Sequence, residues 1–116
     1  MPQINLIKLE CIVNDEIDKD EVFLKHDNKK IWPTKGIYKS IDTGETYDVD
    51  IKVHHMDINR PLVIELWDFD YLSRNDFLGY FEMNIGNEKE GEYSTSMTVQ
   101  EKGSTASYIL HWEILG

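Results

Sequence analysis

Residues 61–85 read PLVIELWDFDYLSRNDFLGYFEMNI, and the rest of the chain is organised around them. Leu62 to Trp67 is a run of apolar and β-branched residues that reads as a strand. It enters an acidic loop and leaves again through Phe77–Ile85. The loop holds Asp68, Asp70 and Asp76 within nine residues. Carboxylates this close repel one another unless water or a cation screens them. Calcium, which takes six to eight oxygens in a flexible cage, would answer that repulsion. Asp, Asn and Ser are also ordinary turn residues, so a metal site and a plain solvated turn both stand at this point. An EF-hand does not: a loop of that type starting at Asp68 needs Gly at its sixth position and Glu at its twelfth, and Ser73 and Gly79 stand there.

Outward from the loop, the chain alternates. Ile7, Leu9, Cys11 and Val13 have a period of two within 4–13, and Tyr47, Val49, Ile51 and Val53 have it within 46–55. Tyr108, Leu110, Trp112 and Ile114 repeat the pattern within 107–115, and Tyr93–Gln100 reads as one further strand. Val22–His26 and Ile31–Ile41 are extended runs joined by Asp27-Asn28-Lys29-Lys30, which is hairpin-turn chemistry. Asp42-Thr43-Gly44-Glu45 is another turn. About eight short strands with turns between them and no amphipathic helix predict an antiparallel Greek-key β-sandwich. At 116 residues the chain fits one domain, 1–116.

The string PLVIELWDFDYLSRNDFLGYFEM resembles the third calcium-binding loop and flanking strands of the C2 domain, the module of protein kinase C and the synaptotagmins. The shared features are the Asp-x-Asp-x5-Asp spacing of Asp68, Asp70 and Asp76, Phe69 between the first two, Ser73, and Leu78–Gly79 after the last Asp. Lys19-Asp20-Glu21-Val22-Phe23-Leu24 resembles the segment that follows the family's first loop. The strand order, with one strand before the first acidic loop and an extra one closing the chain, resembles the permuted, type II variant. The resemblance implies that loops 14–20 and 68–76 lie side by side at one end of an eight-stranded sandwich. It implies Ca2+ held by Asp20, Asp68, Asp70 and Asp76, with the backbone carbonyl of Phe69 and the side chain of Ser73 as further oxygens. Where the family places one more Asp, this chain has Asn14, so Asn14, Asp15 or Asp18 takes that place. It further implies docking to an anionic phospholipid surface, with Ile17 and Leu72 inserting, Tyr71 at the interface, and Lys19 and Arg74 beside phosphates. The alternative is a calcium-stabilised interaction or structural domain that docks a protein partner. The family's basic lipid-binding patch, limited here to Lys25, Lys29, Lys30, Lys35 and Lys39, is thin.

Composition narrows the remaining classes. Twelve Lys+Arg against 22 Asp+Glu leave a net charge of −10, which argues against a nucleic-acid partner. His26, His54, His55 and His111 have no zinc spacing with Cys or Glu and read as surface or strand residues. The single Cys11 lies in an apolar strand and reads as a small buried hydrophobe. No nucleophile elbow, phosphate-cradling glycine loop or Cys/His pair is present, so the expectation is a non-enzyme. No apolar run reaches membrane-spanning length and no signal peptide opens the chain. The expected location is the cytoplasm or the membrane periphery.

Overall fold

The computed structural model describes residues 3–115, apart from 16, 17, 56, 58, 87, 88, 101 and 102. Its segments are β1 (Gln3–Val13), β2 (Asp20–His26), β3 (Lys29–Trp32), β4 (Lys39–Ile41), β5 (Thr46–His54), β6 (Leu62–Asp68), β7 (Asp76–Met83), β8 (Gly91–Ser96), β9 (Thr98–Val99) and β10 (Ser107–Leu115). One sheet has the order β5-β1-β10-β8. The other runs β3-β2-β6-β7-β9, with β4 also paired to β2. Every pairing is antiparallel. No helix long and apolar enough to cross a membrane is found among the described residues.

Ten segments make eight strands. β3 pairs with Leu24–His26 and β4 with Asp20–Val22, so they form one edge strand interrupted at 33–38. Pro33 lacks the N–H a ladder needs, and Gly36 has φ of +81°. Only Met97 separates β8 from β9, yet the two belong to different sheets. The strand expected over 93–100 is therefore one strand that changes sheets. The closing strand β10 pairs along the whole of β1, as the permuted order implies. Asp27 and Asn28 both have positive φ, 50° and 65°, giving the tight hairpin between β2 and β3 that their residue types favour.

The core lies between the sheets, where alternation has put one face of each strand. Tyr108, Leu110, Trp112 and Ile114 all face inward on β10, as the period predicts. On β5, Val49 and Val53 are buried while Tyr47 and Ile51 pack at the margin. The first strand departs from its simple reading. A register shift between Leu6 and Lys8 inserts one residue, so the buried set is Ile4, Leu6, Leu9 and Cys11. Ile7 is left half-buried and Val13 is 39% exposed. A bulge reverses the facing of every residue before it, which the alternation Ile7-Leu9-Cys11-Val13 does not reveal.

Candidate functional site: the acidic end of the sandwich

The strands that carry the acidic loops are neighbours. β2 pairs with β6 at Val22↔Asp68, and β6 pairs with β7 at Asp68↔Asp76. The predicted loop boundaries therefore tighten: Asp20, Asp68 and Asp76 are the terminal residues of three adjacent strands, and the loops proper are 14–19 and 69–75. They lie side by side at one end, as expected. Two backbone-mediated contacts join them. Phe69 N–H donates to the carbonyl of Glu21 at 2.7 Å, and Glu21 N–H donates to Asp68 Oδ1 at 2.9 Å.

Asp20 and Asp68 are the buried charged residues at the base of this end, 0% and 1% exposed. A carboxylate tolerates burial only when hydrogen bonds or charges compensate it. For Asp20 the compensation comes from two sides. Asp15 N–H donates to its Oδ2 at 2.7 Å, and the Tyr108 hydroxyl donates to the same oxygen at 2.5 Å. Asp15 is held in turn by Ser104, whose hydroxyl donates to Asp15 Oδ1 at 2.5 Å. Asn14 is tied to the 42–45 turn. Its N–H donates to Thr43 Oγ1 at 3.2 Å, and the Thr43 hydroxyl donates to Asn14 Oδ1 at 2.7 Å. Asn14 Nδ2 also donates to the Asp18 carbonyl, while the side chain of Asp18 is exposed.

Loop 69–75 folds on itself. Asp70 Oδ1 accepts from Leu72 N–H at 2.8 Å and Oδ2 accepts from the Ser73 hydroxyl at 2.7 Å. Its own N–H donates to Asn75 Oδ1 at 3.0 Å. This is an Asx-type turn, and the Leu72 N–H first, then Ser73, hold the Asp70 carboxyl below its usual range. Ser73 is thus turned to Asp70. Asp76 is exposed. The resemblance makes the backbone carbonyl of Phe69 a ligand, but the contacts here belong to its N–H and ring. That ring stacks on Tyr38 at 5.5 Å and meets Tyr71 edge-on at 4.8 Å.

Of the expected membrane-contacting residues, Leu72 is 97% and Tyr71 71% exposed, and Lys19 and Arg74 are exposed. Ile17 lies outside the described residues. The structure thus brings together Asp15 with Asp20, Asp20 with Asp68 through Glu21, and Asp70 with Ser73. Among the described residues, no three His, Cys, Asp or Glu side chains are disposed to share one ion. In donor chemistry the set still suits a hard divalent cation. Asp20, Asp68, Asp70, Asp76 and Ser73 offer oxygen alone, with no imidazole or thiol among them.

Tyr108, Ser104, Thr43 and Asn75 also support this end, and the sequence does not single them out. Tyr108 is an inward aromatic of a period-two strand, indistinguishable there from plain core, and the 42–45 turn carries no chemical signature. The histidines serve local contacts: His111 lies between Glu10 and Ser94, at 2.9 Å from each, and His55 Nε2 lies 2.7 Å from the Arg60 carbonyl.

Burial raises the Tyr108 phenol far above its ordinary value, and the bond to Asp20 adds to the effect. Burial likewise pushes the neighbouring Cys11 thiol up to about 11, from 9.0. Both groups stay protonated in the fold at pH values where the unfolded chain would release its protons. Their contribution to stability is therefore full below about pH 9 and is lost as pH rises, for Cys11 between 9 and 11. Melting curves from about pH 8 to 11 should show stability falling above about pH 9, and Cys11→Ala should flatten the first part of that fall. A curve flat to about pH 11 would contradict the burial of both groups.

Comparison with known proteins bears on these loops and strands together. A family model described as the C2 domain matches residues 21–99, from β2 through β9 and across the loop at 69–75. Ras GTPase-activating protein 4 of Mus musculus is 27% identical over 130 aligned residues, covering 95% of this chain. The chain spans only 16% of that relative's length. Among solved structures, a C2 domain of plant Extended Synaptotagmin 1 superposes with a TM-score of 0.56 at 12% identity, covering 98% of this chain and 91% of the other. That likeness is one of fold. With the family match over more than half of its length, from the first buried aspartate's neighbour to the strand that changes sheets, the chain belongs to the C2 domain family.

Proposed function

We propose that the domain is a non-catalytic binding module that docks to phospholipid membranes in a calcium-dependent way, through loops 14–19 and 69–75. Asp20, Asp68, Asp70 and Asp76 would hold the ion, helped by Asn14 or Asp15 and by Ser73. Calcium supplies positive charge at a loop end that is otherwise repulsive to anionic headgroups. One observation carries the reading: Asp70 accepts the Leu72 N–H, so the carboxylate that would bind the ion also holds the most exposed apolar side chain of the loop. An ion drawing on Asp70 must compete with the Leu72 N–H and the Ser73 hydroxyl, and so reshapes the tip that carries Leu72.

With about two ions bound, the net charge moves from −10 to roughly −6, so the whole molecule stays acidic. Attraction must then be local to the loop tips and fade within about a Debye length, near 8 Å at physiological salt. Sedimentation with phosphatidylserine-containing vesicles tests this. Binding should require calcium and weaken with added salt. Asp70→Asn should abolish most of the calcium-induced rise in melting temperature, since loss of a charged ligand weakens a hard-ion site. Leu72→Ala should weaken vesicle binding about tenfold and leave the thermal shift unchanged, because burial of the leucine contributes on the order of 2 kcal/mol. Wild-type protein that ignores vesicles at saturating calcium would sink membrane docking and leave docking of a protein partner.

A further inference from the structure

The sheet edges differ in how they are closed off. A terminal strand offers unpaired N–H and C=O groups to any extended chain, and soluble proteins protect such edges with charges, prolines, bulges or very short strands. Among the described residues, three edges have this protection. The β3–β4 edge is interrupted at 33–38, contains Pro33, and bears Lys29, Lys30 and Lys39. β9 is two residues long. β5 exposes Asp48, Asp50 and Lys52, and Asp50 has φ of +50°, outside the strand region. β8 is different. Gly91–Ser96 ends the sheet β5-β1-β10-β8, runs for six residues, and has Glu92 as its single charge.

The register shows which backbone groups of β8 face outward. Met97 N–H donates to the Tyr108 carbonyl at 2.9 Å, continuing the register that pairs Ser96 with Ile109 and Ser94 with His111. In an antiparallel ladder, residues that bond to the neighbouring strand alternate with residues that face away from it. Gly91, Tyr93 and Thr95 therefore bond to β10, and the N–H and C=O groups of Glu92, Ser94 and Ser96 point out of the sheet. All three of these residues are exposed. The strand is also firmly seated: the Tyr93 ring stacks on Trp112 at 4.8 Å, and Trp112 Nε1 donates to Thr95 Oγ1 at 2.9 Å. This outward row is complementary to itself. Two antiparallel copies of β8, related by a two-fold axis at Ser94, set Ser94 opposite Ser94 and Glu92 opposite Ser96. No like charges meet, whereas a register centred on Glu92 would oppose two carboxylates.

We infer that β8 is a self-association edge whose partner is a second copy of this chain, paired antiparallel through the backbone of Glu92, Ser94 and Ser96. A second copy brings a strand of equal length already ordered on its own β10, whereas a free peptide must lose conformational freedom to pair there. β8 runs from Gly91 towards the end where Ser107 meets Val13 and loop 14–19 begins. Antiparallel pairing therefore sends the two acidic ends in opposite directions and leaves both uncovered. Each copy carries a net charge of −10, so added salt should strengthen the pairing. That is the opposite sign to the salt effect expected for vesicle binding, and the inference stands independently of the membrane reading.

The test uses the full chain without calcium or lipid. Sedimentation velocity from about 10 μM to about 1 mM should show a monomer–dimer equilibrium, because one short edge buries less than a standard interface and associates weakly. Over the same range, amide hydrogen exchange should slow at Glu92, Ser94 and Ser96 and stay constant at Tyr93 and Thr95. Ser94→Pro removes an outward N–H and spares the bonds to β10, so it should weaken dimerisation at least about tenfold while shifting the melting temperature by less than about 3 °C. Ser94→Ala keeps that N–H and loses only the contact with His111 Nδ1, 2.9 Å away, so it should dimerise like wild type. The exchange pattern decides the matter without any substitution, should Ser94→Pro fail to fold. A chain that stays monomeric at all these concentrations in high salt would overturn the inference. So would a dimer in which protection along β8 does not alternate, or one that Ser94→Pro forms as tightly as wild type.

Discussion

Replacing Gly79 by alanine should lower the melting temperature by about 10 °C, corresponding to roughly 2–3 kcal/mol of overpacking in a domain of this size. Gly79 has no unusual backbone conformation, so the penalty is steric. A Cβ built there would lie 2.4 Å from the carbonyl oxygen of Thr98 and within 2.7–2.8 Å of Met97 Cγ and Sδ. Met97 could swing aside, but the Thr98 oxygen is backbone and moves only with its strand. Gly79 pairs with Val99 and Tyr80 with Thr98, so the alanine would prise β9 from β7. The adjoining bond from Gln100 N–H to the Leu78 carbonyl, 2.9 Å long, would go with it. Gly44→Ala makes the comparison: open space surrounds Gly44, and only its φ of +88° resists a side chain. That variant should lose about 1 kcal/mol. Thermal denaturation of both variants decides the point. A loss below about 3 °C for Gly79→Ala would mean that β9 is not seated on β7 as described.

Tyr108→Phe should destabilise the protein by about 2 kcal/mol and, on the calcium reading proposed above, reduce the calcium-induced thermal shift, though it removes a single oxygen from the core. Its hydroxyl donates to Asp20, and both residues are fully buried. A hydrogen bond to a buried charge contributes about 1.5–3 kcal/mol, and its removal leaves the carboxylate with less compensation. Because Tyr108 belongs to the closing strand and Asp20 to the edge of loop 14–19, this bond fixes the loop's base to the opposite sheet. A double-mutant cycle with Asp20→Asn isolates the pair from general effects on packing. The expected coupling is at least about 1 kcal/mol, since the asparagine can still accept from a tyrosine hydroxyl but carries no charge for it to stabilise. Additive effects of the two changes, with calcium affinity untouched in Tyr108→Phe, would remove Tyr108 from the support of the site.

The acidic loops show where a local pattern suffices. Asp68, Phe69, Asp70, Ser73 and Asp76 read as one local cluster because they span a single turn and the ends of the two paired strands it joins, where spacing in sequence fixes spacing in space. The pattern does not fix which way each carboxylate turns: Asp70 and Ser73 bind one another and the Leu72 N–H within the loop. The position matched by Asn14 is likewise decided by a distant partner, Thr43, 29 residues away. Leu78–Gly79 is visible as part of the family string, but the close approach of Met97 and Thr98 to Gly79, where β9 pairs with β7, is not.

By itself, the sequence determined the strands, the faces they bury on β10 and most of β5, the tight turn at Asp27–Asn28, and the acidic loop after Trp67. These features follow from side-chain alternation and from turn chemistry, both of which act over a few residues. Tertiary structure alone decided the rest. The register shift after Leu6 is set by pairing with β5 and β10, which lie far along the chain. The 93–100 strand divides between two sheets because its two ends find different partners, β10 and β7. Asp20 meets Tyr108 across 88 residues, Asp15 meets Ser104 across 89, and Tyr38 meets Tyr71 across 33. The Asp20–Tyr108 contact needs both sheets closed on a shared core and the Tyr38–Tyr71 contact needs β4 and β6 both paired to β2, and nothing in the neighbouring residues distinguishes an aromatic that fills space from one whose hydroxyl reaches a partner on another strand.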